Sequence, residues 1–252
     1  MRAKLVVFPI QGKQWCFCRS VDTSLEGSTS PHIPSTLRQL WSRISSTKSS
    51  SQENVELAID FVSDKMSRAW AGLEKAPQNS LKNKIHELGL KLLARVKPSE
   101  IFLKSITKDI TLLEATFPQS LNGRLVRRRL KHIAVRGNTI HRKYLYGSIA
   151  LLPLSSAFMI LPLPNVIFFW VLFRCYSHWR ALQGSEKLLH LLSTNADKSV
   201  ISSSSSLILK PSPELEKLME LEGNGVTESS IICICRAYSL NLNDALKFRH
   251  NF

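Results

Sequence analysis

The chain is short of acid. Its 252 residues carry 19 Asp and Glu against 34 Lys and Arg, a formal charge of +15, while 44% of them are hydrophobic. So much apolar content excludes a disordered polybasic tail, and ten glycines with eleven prolines in no G-x-y repeat exclude a collagen-like chain. Enzyme signatures are missing too. There is no Walker loop, no dinucleotide-binding glycine fingerprint and no G-x-S-x-G elbow. His86-Glu87 opens like a zinc-protease helix, but position 90, where the second ligand belongs, is leucine. Neither an enzymatic activity nor a cofactor is expected. The cysteines, Cys16-Phe-Cys18, Cys233-Ile-Cys235 and Cys175, lack the C-x2-C spacing of zinc ribbons, so free thiols are expected and no metal site is assigned. No N-x-[ST] sequon occurs, and Pro9 and Gln11 interrupt the first apolar run too early for a secretory signal. Residues 1 to 21 are acid-free like a mitochondrial presequence but read as strand rather than amphipathic helix.

The shortage of acid is local. No carboxylate lies between Glu114 and Glu186, a stretch whose cations are Arg124, Arg127, Arg128, Arg129, Lys131, Arg136, Arg142, Lys143, Arg174 and Arg180. Between Lys143 and Arg174 run 30 uncharged residues, Tyr144 to Phe173, where about 20 suffice for a membrane-crossing helix. Pro162 and Pro164, followed by Asn165, break the run, since each proline removes a backbone donor and pushes its predecessor out of helical geometry. The first arm, Tyr144 to Leu161, spans about 27 Å as a helix. The second has nine uncharged residues before Arg174 and crosses only if its helix continues through CYSHWRALQ. Both flanks are basic, which places both ends in the same inner compartment by the positive-inside rule. The reading is a proline-turned transmembrane hairpin, with a single kinked span or a re-entrant loop as alternatives.

The expected fold is mainly α: a helical membrane protein with that hairpin, a soluble helical bundle and a short N-terminal β-hairpin. Residues 1–41 form a β-prone segment in which LVVFPI and QWCFCRS flank a turn at Gly12, Pro9 marking an edge strand. Residues 42–51 read as a serine-rich linker and 52–143 as soluble helices, the third running from Ile101 to Phe117 and the last a basic juxtamembrane helix with an apolar stripe of Leu125, Val126, Leu130, Ile133 and Ile140. The hairpin takes 144–182, a helix end with a second serine-rich linker takes 183–210, and 211–252 form a small helical module.

The run LPLPNVIFFWVLFRCYSHWRALQGSEKLL, Leu161 to Leu189, resembles the mitochondrial K+/H+ exchange-related family of membrane proteins, and the opening LVVFPI is similar to that family's start. The resemblance implies an inner-mitochondrial-membrane protein linked to potassium/proton exchange; with the hairpin and its basic flanks, a multi-pass protein with both termini in the matrix is expected. A stand-alone antiporter needs a titratable group inside the membrane, usually a carboxylate, and the uncharged run has none. On the second arm Arg174, Ser177, His178 and Arg180 read either as the membrane-interface end of the helix or as a proton- and ion-coupling site, His178 being the titratable member. The eight cations from Arg124 to Lys143 suit contact with anionic lipid. A component or regulator is therefore expected, as a homo-oligomer or in a complex with a separate exchanger. The alternative is a basic adaptor that binds nucleic acid or ribosome through residues 124–143, a partner class this charge distribution only weakly supports.

Overall fold

A computed structural model of the chain describes residues 1–12, 14–20, 36–46, 51–77, 80–156, 166–194, 206–219, 221–222 and 225–250. They fall into two compact units, residues 1–22 with 96–252, and residues 23–95. The smaller unit is helical: α1 is Leu37–Ser46, α2 Ser51–Glu74 and α3 Leu81–Ala94, the last capped by the Ser80 hydroxyl, which accepts from the Asn83 amide. Residues 42–46, expected in a linker, are thus the second half of α1.

The larger unit is built on a mixed sheet. Strand β1 (Arg2–Gln11) and strand β2 (Gln14–Arg19) form the expected hairpin, with Gly12 in the left-handed region at φ 52°. Strand β3 (Leu112–Pro118) runs parallel to β1, and β4 (Ser206–Ser212) parallel to β3. The short strands β5 (Leu221–Glu222) and β6 (Gly225–Val226) pair with each other, and β6 joins β1 at Gln11. So β1 is an interior strand, and Pro9 is accommodated because the β1–β3 ladder ends at Val6. Five consecutive positions of β1 from Leu5 to Pro9 are buried or nearly so, the unbroken apolar run of a strand covered on both faces.

Two long helices, α5 (Gly123–Ser156) and α6 (Val166–Thr194), lie antiparallel, as the approaches of Arg127 to Leu192 and of His141 to His178 require. Short α4 (Pro98–Ser105) begins with proline at its first position, where the missing N–H is not needed, and packs on α6. The buried residues of α5, Val126, Leu130, Ala134, Gly137 and His141, recur at three- and four-residue spacing and face the core. Leu125 of the expected stripe is exposed instead. The tail helices α7 (Pro213–Leu218), α8 (Glu228–Ala237) and α9 (Leu242–His250) place Leu215, Ile231, Ile234 and Ala245 in the same core, so these three helices extend that core.

This architecture overturns the mainly-α membrane fold. The larger unit is mixed α and β, and among the described residues no helix is long and apolar enough to cross a membrane. The uncharged run is described in two pieces, with residues 157–165 between them outside the described residues. Thirteen of its residues end α5, eight begin α6, and each piece falls well short of the roughly 20 needed. α5 is long, but its first 21 residues hold eight cations. Pro153 lies inside α5, and the expected turn at Pro162, Pro164 and Asn165 lies outside the described residues. The expected third helix also gives way: it ends at Ser105, and Leu112–Pro118 is strand β3.

Candidate functional site

A cluster of buried polar groups forms where α4, α5 and α6 meet. Arg174, Ser177 and His178 share one face of α6 through three- and four-residue spacing, and the same face continues through Ala181 to Gly184. Gly184 lets the helices close. A methyl group there would fall onto the backbone carbonyl of Leu103 in α4, and Ile106 O would be 3.0 Å away. The close crossing puts Glu100, in the first turn of α4, against α6.

Arg174 holds Glu100 with two bonds, Nη1 to Oε1 at 2.9 Å and Nη2 to Oε2 at 3.1 Å, and the Ser177 hydroxyl donates to Oε1 at 2.6 Å. Burial alone would raise the Glu100 carboxyl; the hydrogen bonds from Ser177 and Arg174, with the guanidinium charge, outweigh it and hold the carboxyl below its ordinary value. Arg174 Nη2 also lies 3.0 Å from His178 Nε2. A guanidinium only donates, so Nε2 accepts and the His178 proton sits on Nδ1. That Nδ1–H then donates to His141 Nδ1, 3.1 Å away, which leaves the His141 proton on its own Nε2. The tautomers of both imidazoles thus follow from one arginine.

The Tyr144 ring stacks on His178 with centroids 5.3 Å apart, and Lys104 lies over Phe173 at 5.4 Å. Burial, and next the Arg174 charge, lowers His178 to about 4, and burial lowers His141. Both imidazoles are therefore neutral at neutral pH. The arrangement suits an interlock of three helices. It does not suit transfer of a proton near pH 7, because Glu100 stays ionised and His178 resists protonation.

Of the four α6 residues singled out in the sequence, three meet in this cluster. Arg180 does not; half-buried, its Nη1 approaches Gln183 Oε1 at 3.5 Å. Glu100 and His141 complete the cluster and carried no sequence flag. The signal for His141 was its place four residues after Gly137 on the buried stripe of α5. Glu100, His141 and His178 also offer ligand atoms that all lie within 4.8 Å of one another.

The eight basic-helix cations divide. Arg127 donates to the carbonyl of Leu192, and Arg129 lies over the Trp15 ring at 5.6 Å. Arg124, Arg128, Lys131, Arg136, Arg142 and Lys143 are exposed, Arg142 pairing with exposed Glu186 at 3.4 Å. Beyond Lys143 the exposed residues of α5 turn apolar: Tyr144, Tyr146, Ile149, Leu151 and Leu154, matched on α6 by Ile167 and Phe169. All five cysteines are free; Cys16 and Cys18 bury their sulfurs 3.4 Å apart, and burial raises the Cys16 thiol.

Among known proteins, the family model described as mitochondrial K+-H+ exchange-related matches residues 4–192. An uncharacterized protein of Schizosaccharomyces pombe is 29% identical over 159 residues, which cover 60% of this chain and 66% of that protein, just under two thirds of its length. No solved structure matches.

Proposed function

Because the chain belongs to the mitochondrial K+-H+ exchange-related family, we propose that it takes part in potassium/proton exchange at the inner mitochondrial membrane as a component or regulator of a separate exchanger, not as an antiporter by itself. The observation that carries this reading is the bond pattern of Glu100. An exchanging carboxylate must be able to take up a proton, and Glu100 is held in its ionised form by Arg174 through both oxygens and by Ser177. A guanidinium in that position repels K+.

The apolar end of the α5–α6 pair supplies the contact with the membrane. Its exposed residues, Tyr146 at 67% and Leu154 at 63% among them, form a surface without charge, and exposed Arg142 and Lys143 border it. Tyrosine beside arginine and lysine is the composition of a bilayer interface, and each cation near anionic lipid contributes about 1 kcal/mol. The pieces enter the interface without crossing it.

Two measurements test the role. Purified chain in K+-loaded vesicles with a trapped pH dye should leave the lumenal pH flat when a K+ gradient is imposed. Mitochondria lacking the chain should swell at an altered rate in potassium acetate, and the reintroduced chain should restore it. K+-driven proton flux from the chain alone would overturn the accessory role, and unaltered swelling would overturn participation in exchange.

A further inference from the structure

We propose that Glu100, His141 and His178 form a binding site for a divalent first-row transition metal, of which Zn2+ is the reference ion. This goes beyond the exchange reading and does not rest on it. One ligand comes from each of α4, α5 and α6, all three side chains are buried, and their ligand atoms lie within 4.8 Å of one another. The separation of the two imidazole nitrogens is the more telling feature. Two metal–nitrogen bonds of about 2.1 Å, opened to between a right angle and a tetrahedral angle, put their nitrogens roughly 3.0 to 3.4 Å apart. The Nδ1 atoms of His141 and His178 are 3.1 Å apart, on one edge of such a polyhedron.

The ligand set selects the ion class. Two imidazoles and a carboxylate suit zinc and its first-row neighbours, whereas Mg2+ and Ca2+ take all-oxygen shells. Three protein ligands leave a further position open for water. An outer partner is in place, since the Ser177 hydroxyl holds Oε1 of Glu100, while Oε2, which accepts a single bond, keeps a lone pair.

Arg174 makes the site conditional. Its donation to Nε2 fixes the His178 proton on Nδ1, the atom a metal needs. Metal binding therefore moves that proton from Nδ1 to Nε2, with none released, and Arg174 must withdraw from His178 while it keeps Glu100. The ion and the guanidinium compete for one imidazole. Affinity should rise when Arg174 is replaced, which is the opposite of what loss of a purely structural residue would do.

The full chain, stripped with a chelator, would be titrated with Zn2+ by calorimetry and with Co2+ by visible absorption. One equivalent should bind, with a Co2+ spectrum of low coordination number. His141→Gln and His178→Gln should each weaken binding at least about tenfold with helical circular dichroism retained. Arg174→Met should tighten it by about tenfold, a gain that misfolding cannot imitate, corresponding to roughly 1.4 kcal/mol. Absence of saturable binding in the wild-type chain overturns the proposal. So does one-equivalent binding undiminished in both histidine variants, which would put the ion elsewhere, for instance on exposed Cys233.

Discussion

Arg174 and Glu100 lie 74 residues apart in sequence and form a two-pronged ion pair in the interior, with the Glu100 side chain 5% exposed and that of Arg174 22%. The pair joins α4 to α6, and through His178 and His141 the same guanidinium reaches α5. One side chain therefore sets the registry of three helices.

Breaking that pair from one side should be costly. Arg174→Met leaves a buried carboxylate without its counter-ion, and removal of one partner of a buried pair typically costs about 3–5 kcal/mol. Partial exposure of Arg174 places the loss near the lower figure. The double variant Glu100→Gln/Arg174→Met should recover at least about 1 kcal/mol of it, because no charge is then stranded. Urea unfolding followed by circular dichroism measures both, and strictly additive losses would show that the two residues do not interact.

Acid should weaken the fold in a window set mainly by His178. Its native value is about 4 against an ordinary 6.5, so the unfolded chain takes up a proton that the native chain refuses. Stability is then complete above 6.5, falls as pH drops from 6.5 to 4, and changes no further through this group below 4. The loss is up to about 3 kcal/mol, each pH unit being worth about 1.4. Glu100, held below its ordinary 4.5, adds a loss only as the pH falls below that value. Urea midpoints across this range should slope for the wild-type chain and less steeply for His178→Gln, in which His141, also lowered by burial, still contributes. Equal slopes in both proteins would remove His178 as the cause.

Local sequence carried the N-terminal hairpin plainly, because LVVFPI and QWCFCR flank Gly12 and the pair closes on itself. It did not carry β3 or β4. LLEATFP is buried at nearly every position and shows no strand alternation, and its partner β1 lies about a hundred residues away. SLILKPS follows a serine tract and reads as linker. Parallel pairing leaves no turn to recognise. The site was half legible for the same reason: Arg174, Ser177 and His178 announce a shared face by spacing on one helix, whereas Glu100 and His141 enter from other elements. The transmembrane reading counted absent charges along the chain, and absent charge does not show where a helix ends.

Three glycines should respond to alanine in three ways. At Gly184 the added carbon meets the backbone carbonyls of Leu103 and Ile106, which cannot rotate away, so Gly184→Ala should cost about 3 kcal/mol. At Gly137 it meets the end of the Leu103 side chain, a neighbour that can turn, and a helix-propensity gain of about 1 kcal/mol offsets the crowding. Gly147 has open space around it, so alanine there should stabilise by up to about 1 kcal/mol. Thermal melts of the three variants give the order; Gly184→Ala at or above wild-type stability would mean that α4 and α6 do not cross this closely.

The apolar end of α5 and α6 predicts how the chain meets lipid. Pelleting with vesicles that contain anionic lipid should survive high salt, because insertion of Tyr146, Ile149 and Leu154 adds a salt-insensitive contribution to the screened attraction of Arg142 and Lys143. Replacing Tyr146 and Leu154 by glutamate puts two charges into the inserted surface and should abolish the salt-resistant fraction. Arg142→Gln with Lys143→Gln should act differently, weakening binding about fivefold per charge at low salt and little at high salt. The two variants therefore separate insertion from attraction. If the glutamate pair pellets like the wild type at high salt, this end of the helix pair is not what touches the bilayer, and the exposed apolar residues serve another surface.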